Sequence, residues 1–209
     1  MPLHSPTVMR LGLIATVLVL LAAVEVREAP IVRAQAAPCS GPRADVQTLT
    51  DKDVSDIDGT QIIGVRVSAL AQFPLPDQLP DRSRFNPYET TIYRTGAQLV
   101  RAHLGPNQEI ELVVADPDTA QTITAVFPDA ARCSQGADPV FLQLMQQARQ
   151  QFVAAMGTPG AGAFSPLNGQ AVMTGIGFIY QLGNGGDQAG IELSPVLDFQ
   201  FVPTTAPVP

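Results

Sequence analysis

Apolar and polar residues alternate most clearly near the end of the chain. Ile191, Leu193, Leu197, Phe199 and Phe201 share one parity, and Glu192, Ser194, Asp198 and Gln200 share the other. A period of two marks a strand with one face on a core. It predicts a strand from Ile191 to Phe201 with Glu192 on the hydrated face. The same pattern predicts a strand from Glu109 to Ala115, with Ile110, Leu112 and Val114 inward and Glu109 and Glu111 outward. Before it, Glu89 to Ala102 reads as one long strand interrupted by Gly96, where a bulge or sharp coil lets a strand serve two halves of a barrel. Asp116-Pro117-Asp118 turns the chain into a third strand, Thr122 to Phe127, which Pro128 ends. Ala171 to Tyr180, with Gly175 and Gly177, reads as the next strand, and Asn184-Gly185-Gly186-Asp187 as the tip of its hairpin.

Between the third and fourth of these strands the period changes. Phe141, Leu144, Met145, Ala148, Phe152, Ala155 and Met156 recur at helical spacing, with glutamines filling the other face. Asp138 before Pro139 supplies an N-cap with proline at N1, and Gly157 closes the helix. Three strands, a helix and two strands, the first strand long and containing a glycine, is the order of an oligonucleotide/oligosaccharide-binding (OB) barrel. The predicted fold is therefore mainly β with one α-helix, an OB-like five-stranded barrel over 89–202. Another small β-barrel or sandwich with one helix is the alternative.

Residues 37–88 read as an N-terminal extension. Thr50-Asp51-Lys52-Asp53 resembles a capping box, with Asp53 in place of the usual glutamate. Asp51, Asp53, Asp56 and Asp58 read as a solvated acidic turn, because an EF-hand would need glycine and glutamate where the chain has Asp56 and Ile62. Ile62 to Val67 predicts an extra strand and Ser68-Ala69-Leu70 a helical turn. The four prolines from Phe73 to Pro87 inclusive predict an extended surface connection.

The first 36 residues read as an address. Arg10 precedes a run without charge from Leu11 to Val24, a reach of roughly 21 Å as a helix. That falls short of the ~30 Å hydrocarbon core, and Ala34-Gln35-Ala36 supplies a small-x-small cleavage site. The expectation is an extracytoplasmic protein with no stable membrane span in its mature form, retention of the segment as an anchor being the alternative. Pro38 before Cys39 argues against lipidation there. Two cysteines, Cys39 and Cys133, lie beyond the site, and an even count in an exported chain predicts one disulfide. Residues 203–209 read as a disordered tail.

Charge narrows the partners. The chain carries a formal −7. Removing residues 1–36, with Arg10, Arg27, Arg33, Glu25 and Glu28, makes it −8 and leaves Lys52 as the one lysine. With no Trp and three tyrosines, the surface suits a carbohydrate, peptide or protein better than a nucleic acid, which needs positive charge and aromatic platforms.

Further motifs are Thr48-Leu49-Thr50-Asp51, Glu89-Thr90-Thr91-Ile92-Tyr93, Ala115-Asp116-Pro117 and Phe127-Pro128-Asp129. Thr174-Gly175-Ile176-Gly177-Phe178 and Gly190-Ile191-Glu192-Leu193-Ser194-Pro195-Val196-Leu197 complete the set. In these the chain, from about Cys39 to Phe201, resembles a family of exported bacterial proteins with no assigned activity. That family usually has histidine where Ser194 stands and a histidine-glycine pair at Leu182-Gly183-Asn184. A metal or proton-transfer role for those histidines does not carry over.

No Gly-x-Ser-x-Gly elbow, His-Glu-x-x-His pair or phosphate-binding glycine loop occurs. Two cysteines and His103 are too few for a usual zinc site. No cofactor and no metal ligand is predicted. The polar residues that a barrel mouth could gather are Arg94 and Arg101 on the first strand, Glu109 and Glu111 on the second, and Glu192 on the last. Gathered in a concave site they would fit a nuclease-like or other metal-assisted hydrolase. Scattered, they fit a binding or structural module of unknown ligand, the favoured reading.

Overall fold

Each long element forms where the periodicity places it. The computed structural model describes residues 39–41, 43–181 and 189–203. The apolar run, the Ala34-Gln35-Ala36 site, the glycine-rich tip at 184–187 and the tail from 204 lie outside the described residues. In chain order the elements are α1 (Ala44–Gln47), β1 (Ile62–Gly64), α2 (Val67–Leu70), β2 (Ile92–Leu104), β3 (Ile110–Ala115) and β4 (Thr122–Phe127). They continue as α3 (Ala130–Cys133), α4 (Pro139–Met156), β5 (Ser165–Pro166), β6 (Gln170–Gln181) and β7 (Ala189–Val202).

The fold is mainly β and is built on a closed barrel of five strands. β3 pairs antiparallel with β2 and β4, β4 pairs parallel with β7, β7 returns antiparallel to β6, and β6 closes on β2. β1 and β5 lie outside the barrel, each against β2. β2 serves both halves by division of labour: Ile92 to Gln98 pairs with β6, and Gln98 to Leu104 with β3. The irregularity is not at Gly96, which sits in register opposite Val172. It falls between Leu99 and Arg101, where the Val100 carbonyl turns to accept the Leu167 N–H at 2.8 Å.

Ile110, Leu112, Val114, Ala125, Phe127, Leu193 and Phe199 fill the barrel. α4 closes one end: Phe152 reaches in between Phe127 and Phe199, with ring centroids 5.1 and 5.3 Å away. Asp138 caps α4 by accepting the Val140 N–H at 2.8 Å, and Gly157 ends it at a positive φ of 79°.

The chain before β2 is a packing layer. Leu49 and Ile57 join Ile92, Ile176, Leu197 and Met145 in a second apolar cluster. Cys39 is bonded to Cys133 in α3, with Cα atoms 5.3 Å apart. Two local expectations need correction. Asp51, not Thr50, caps the turn, accepting the Asp53 N–H at 3.0 Å, and the one-turn 3₁₀ helix starts later, at Val54. Asp51 is also not solvated. It is buried against Arg84, which rises out of the proline-rich connection to pair with it at 2.5 and 3.1 Å.

Candidate functional site

Alternation along β3 sends Ile110, Leu112 and Val114 into the barrel and leaves Glu109 and Glu111 on its outside. Alternation along β7 places Glu192 and Ser194 on the outside too, with Thr124 of β4 opposite Glu192. On a bare barrel these side chains would face water. Here Cys39 to Gly41 and Arg43 to Thr48 lie over them, tied down by the Cys39–Cys133 bond at one end. Arg43 holds the segment farther on, reaching the fully buried Glu89 at 2.5 and 2.7 Å. Glu89 also accepts the backbone N–H groups of Phe85 at 2.6 Å and Ile179 at 2.9 Å.

Between this segment and the strands lies a cavity of about 920 Å³. Glu109, Glu111, Thr124, Tyr180, Glu192 and Ser194 line it from the barrel, and Arg43 and Gln47 from above. Both cysteines border it.

Glu192 overturns the expectation of a hydrated strand residue. It is 7% exposed, and Gln47 of α1 donates to its Oε1 at 2.8 Å. Burial pushes its carboxyl up from an ordinary 4.5 to about 8; the Gln47 hydrogen bond and the neighbouring Ser194 hydroxyl oppose this, and the charges of Glu111 and Glu109 add to it. The face expected to be solvated is covered by chain 145 residues away. Strand period cannot reveal such a cover. A carboxyl raised this far keeps its proton at neutral pH, which spares the fold an unpaired buried charge. The Tyr180 hydroxyl is raised too, by burial and then by the nearby Glu192.

Of the five polar residues singled out, the three carboxylates meet in the cavity and the two arginines do not. Arg94 is exposed, and Arg101 is exposed with its guanidinium 4.7 Å from the Phe164 ring centroid. Glu111 is bound by His103, whose Nε2 lies 3.0 Å from its Oε2 and whose Nδ1 lies 3.0 Å from the Gly162 carbonyl. Glu109 Oε2 and Ser194 Oγ are buried without a hydrogen-bond partner among the described residues. Among those residues no group of three His, Cys, Asp or Glu side chains is placed to hold a metal ion.

Sequence reasoning missed Arg43, Gln47, Arg84 and Glu89 as builders of this site. Four of the quoted motifs each contain a buried acid: Asp51, Glu89, Asp116 and Glu192. Only Glu192, between Ile191 and Leu193, carries a sequence signal of its own, a lone acid flanked by apolar residues. Asp116 accepts the backbone N–H of Ser68 at 3.0 Å and that of Asp118 at 3.0 Å. Its carboxyl is held well below the usual range, first by hydrogen bonding to Ser68, with Arg66 adding to the effect.

No protein-family model matches the chain, and no curated protein matches it.

Proposed function

We propose that the mature chain is an exported binding module that takes a polar ligand into the cavity between its N-terminal segment and the barrel. The observation that carries this reading is the floor of the cavity, where Glu192 and Ser194 lie buried and where Glu109 Oε2 and Ser194 Oγ have no hydrogen-bond partner among the described residues. Leaving such groups unmet costs free energy, which a ligand recovers. A space of this size suits a small molecule or a short piece of a polymer. Its carboxylates repel phosphates, which favours a carbohydrate, peptide or protein over nucleic acid. Export is supported by the short apolar run with its small-residue site and by the disulfide. Among the described residues no helix is long and apolar enough to cross a membrane.

Titrating isotope-labelled protein with small saccharides and short peptides tests the binding reading. Amide shifts are expected at Glu109, Glu111, Tyr180, Glu192 and Ser194. Shifts confined to the Arg94 and Arg101 face would overturn it. For export, the protein recovered outside the cytoplasm is expected to begin just after Ala36. An intact chain starting at Met1 and held firmly in the membrane would refute that.

The hydrolase alternative has one supporting observation: Glu192, raised to about 8, stands near other carboxylates in the same cavity. Carboxyl groups with separated titrations are the acid and base of many hydrolases. Release of reducing ends from an oligosaccharide by the native protein, lost in Glu192→Gln, is its test.

A further inference from the structure

We infer that the cavity is built for a small organic ammonium ion, bound by the carboxylates of Glu109, Glu111 and Glu192 together with the Ser194 hydroxyl. The inference rests on the binding reading above and names the ligand's chemistry. Its first support is hydrogen-bond inventory. An ammonium group has three donors and no acceptor, and a carboxylate is acceptor-only. The amide and guanidinium NH₂ donors around the cavity are partly engaged within the protein. Gln47 Nε2 gives to Glu192, Asn107 Nδ2 to the Ser40 carbonyl, and both terminal nitrogens of Arg43 to Glu89. Two buried oxygens are unpartnered among the described residues: Glu109 Oε2, which accepts, and the Ser194 hydroxyl, which can accept or donate; Arg43 Nε is a buried donor also left over. Open carboxylate oxygens among three acids favour a ligand that can donate several hydrogen bonds at once.

Charge gives the second support. The groups facing Glu192 are Glu109 and Glu111 from β3 and the turn before it, Tyr180 from β6, and Arg43 and Gln47 from the covering segment; Asp81 borders the cavity from the proline-rich connection. His103 of β2 acts on Glu111, and Arg149 of α4 donates to the Phe127 and Gln108 carbonyls while its charge reaches Glu109. Arg43 is neutralised by Glu89. The cavity thus holds more negative than positive charge, and without a ligand Glu192 keeps a proton, first because it is buried and then because of that excess. When an alkylammonium enters, the Glu192 carboxyl gives its proton to solvent, and the resulting carboxylate pairs with the ligand's –NH₃⁺.

Calorimetry on the disulfide-intact protein, in buffers of differing ionisation enthalpy, tests the inference. The probes are 1,4-diaminobutane and 1,4-butanediol, which have the same carbon spacing but differ in charge. The diamine is expected to bind saturably and to release about one proton at pH 6. Its affinity should rise up to roughly tenfold per pH unit toward pH 8, as linkage to one proton requires. In Glu192→Gln the proton release and the pH slope should vanish. Ser194→Ala should weaken the diamine several-fold while keeping the slope, which guards against a Glu192 variant that fails to fold. Nα-acetyl-lysine amide, run in parallel, identifies the source: tighter binding than the diamine assigns the ammonium to a peptide side chain, weaker binding to a free amine. If butanediol or a saccharide shifts the cavity resonances and the diamine does not, the ammonium inference falls and the binding reading stands. If no probe and no member of the saccharide and peptide panel perturbs the cavity, both fall.

Discussion

Glu192 makes the folded protein prefer acid over base. Its carboxyl is lifted from 4.5 to about 8, mainly by burial, so between those values the native state keeps a proton that the unfolded chain releases. Unfolding free energy therefore falls as pH rises through that window, by at most about 1.4 kcal/mol per pH unit. The contribution is complete below pH ~4.5 and gone above pH ~8. Glu192→Gln removes this slope. Urea denaturation is expected to find variant and native protein equally stable near pH 4.5. At pH 8.5 the variant should be more stable by on the order of 3 kcal/mol. Parallel curves across that range would mean that Glu192 titrates as a surface carboxylate. Asp116 acts in the opposite sense: its lowered value stabilises the fold at neutral pH, and acid unloads it. Glu89 is a different case, since its charge is fully paired. Glu89→Ala leaves the Arg43 guanidinium buried at 8% side-chain exposure and frees two backbone N–H groups. Breaking such a pair costs about 3 to 5 kcal/mol, whereas the Lys52–Asp53 pair, whose lysine lies in solvent, should matter far less. Paired denaturation of Glu89→Ala and Lys52→Ala checks the contrast.

At the scale of elements, β6 shows why a strand can need glycine. A Cβ on Gly177 would overlap the Tyr88 carbonyl oxygen and the Tyr93 ring, so the strand admits the chain leading into β2 only because that atom is missing. Gly177→Ala is expected to destabilise by about 1 to 3 kcal/mol, whereas Gly96→Ala, with open space around it, should stay within ~0.5 kcal/mol; thermal unfolding separates them. Asp138→Ala should cost α4 about 1 kcal/mol through its lost cap. The long elements were legible because their signals are local. β3 and β4 begin and end within a residue of the expected bounds, and α4 runs from Pro139 to Met156 as its cap and closing glycine require. What was illegible is the outside of the barrel. Period two states that Glu192 opposes Leu193, but not whether water or chain lies beyond it. The answer came from Gln47, and Arg43 and Arg84 likewise find partners 46 and 33 residues away. The three glutamates could be named as candidates because of their strand positions, and the cover that makes them a site could not.

For the whole molecule, three links hold the N-terminal segment on the barrel: the Cys39–Cys133 bond, Arg43 to Glu89, and Arg84 to Asp51 and the Val46 carbonyl. They do different work. The disulfide closes a loop with a sequence separation of 94, and loop-closure entropy assigns it ~4 to 5 kcal/mol, gained by restricting the unfolded chain. The ion pairs act in the folded state and fix the stretch that carries Gln47 over Glu192. Replacing both cysteines by serine is therefore expected to lower the denaturation midpoint while the Glu192 carboxyl, followed by carbon-13 NMR titration, still titrates near 8, because Arg43 keeps the cover in place. Adding Arg43→Ala in that background should release the cover, admit water to the cavity and move the Glu192 titration down toward 4.5. The stability slope between those pH values should flatten with it, since slope and shift have one origin. If loss of the disulfide alone brings the titration down, the bond itself holds the cover. If neither change moves it, Arg84→Ala in the same background removes the last link, to Asp51 and the Val46 carbonyl; a titration still near 8 would then mean that the barrel itself buries Glu192 and that the cavity does not owe its chemistry to the segment above it.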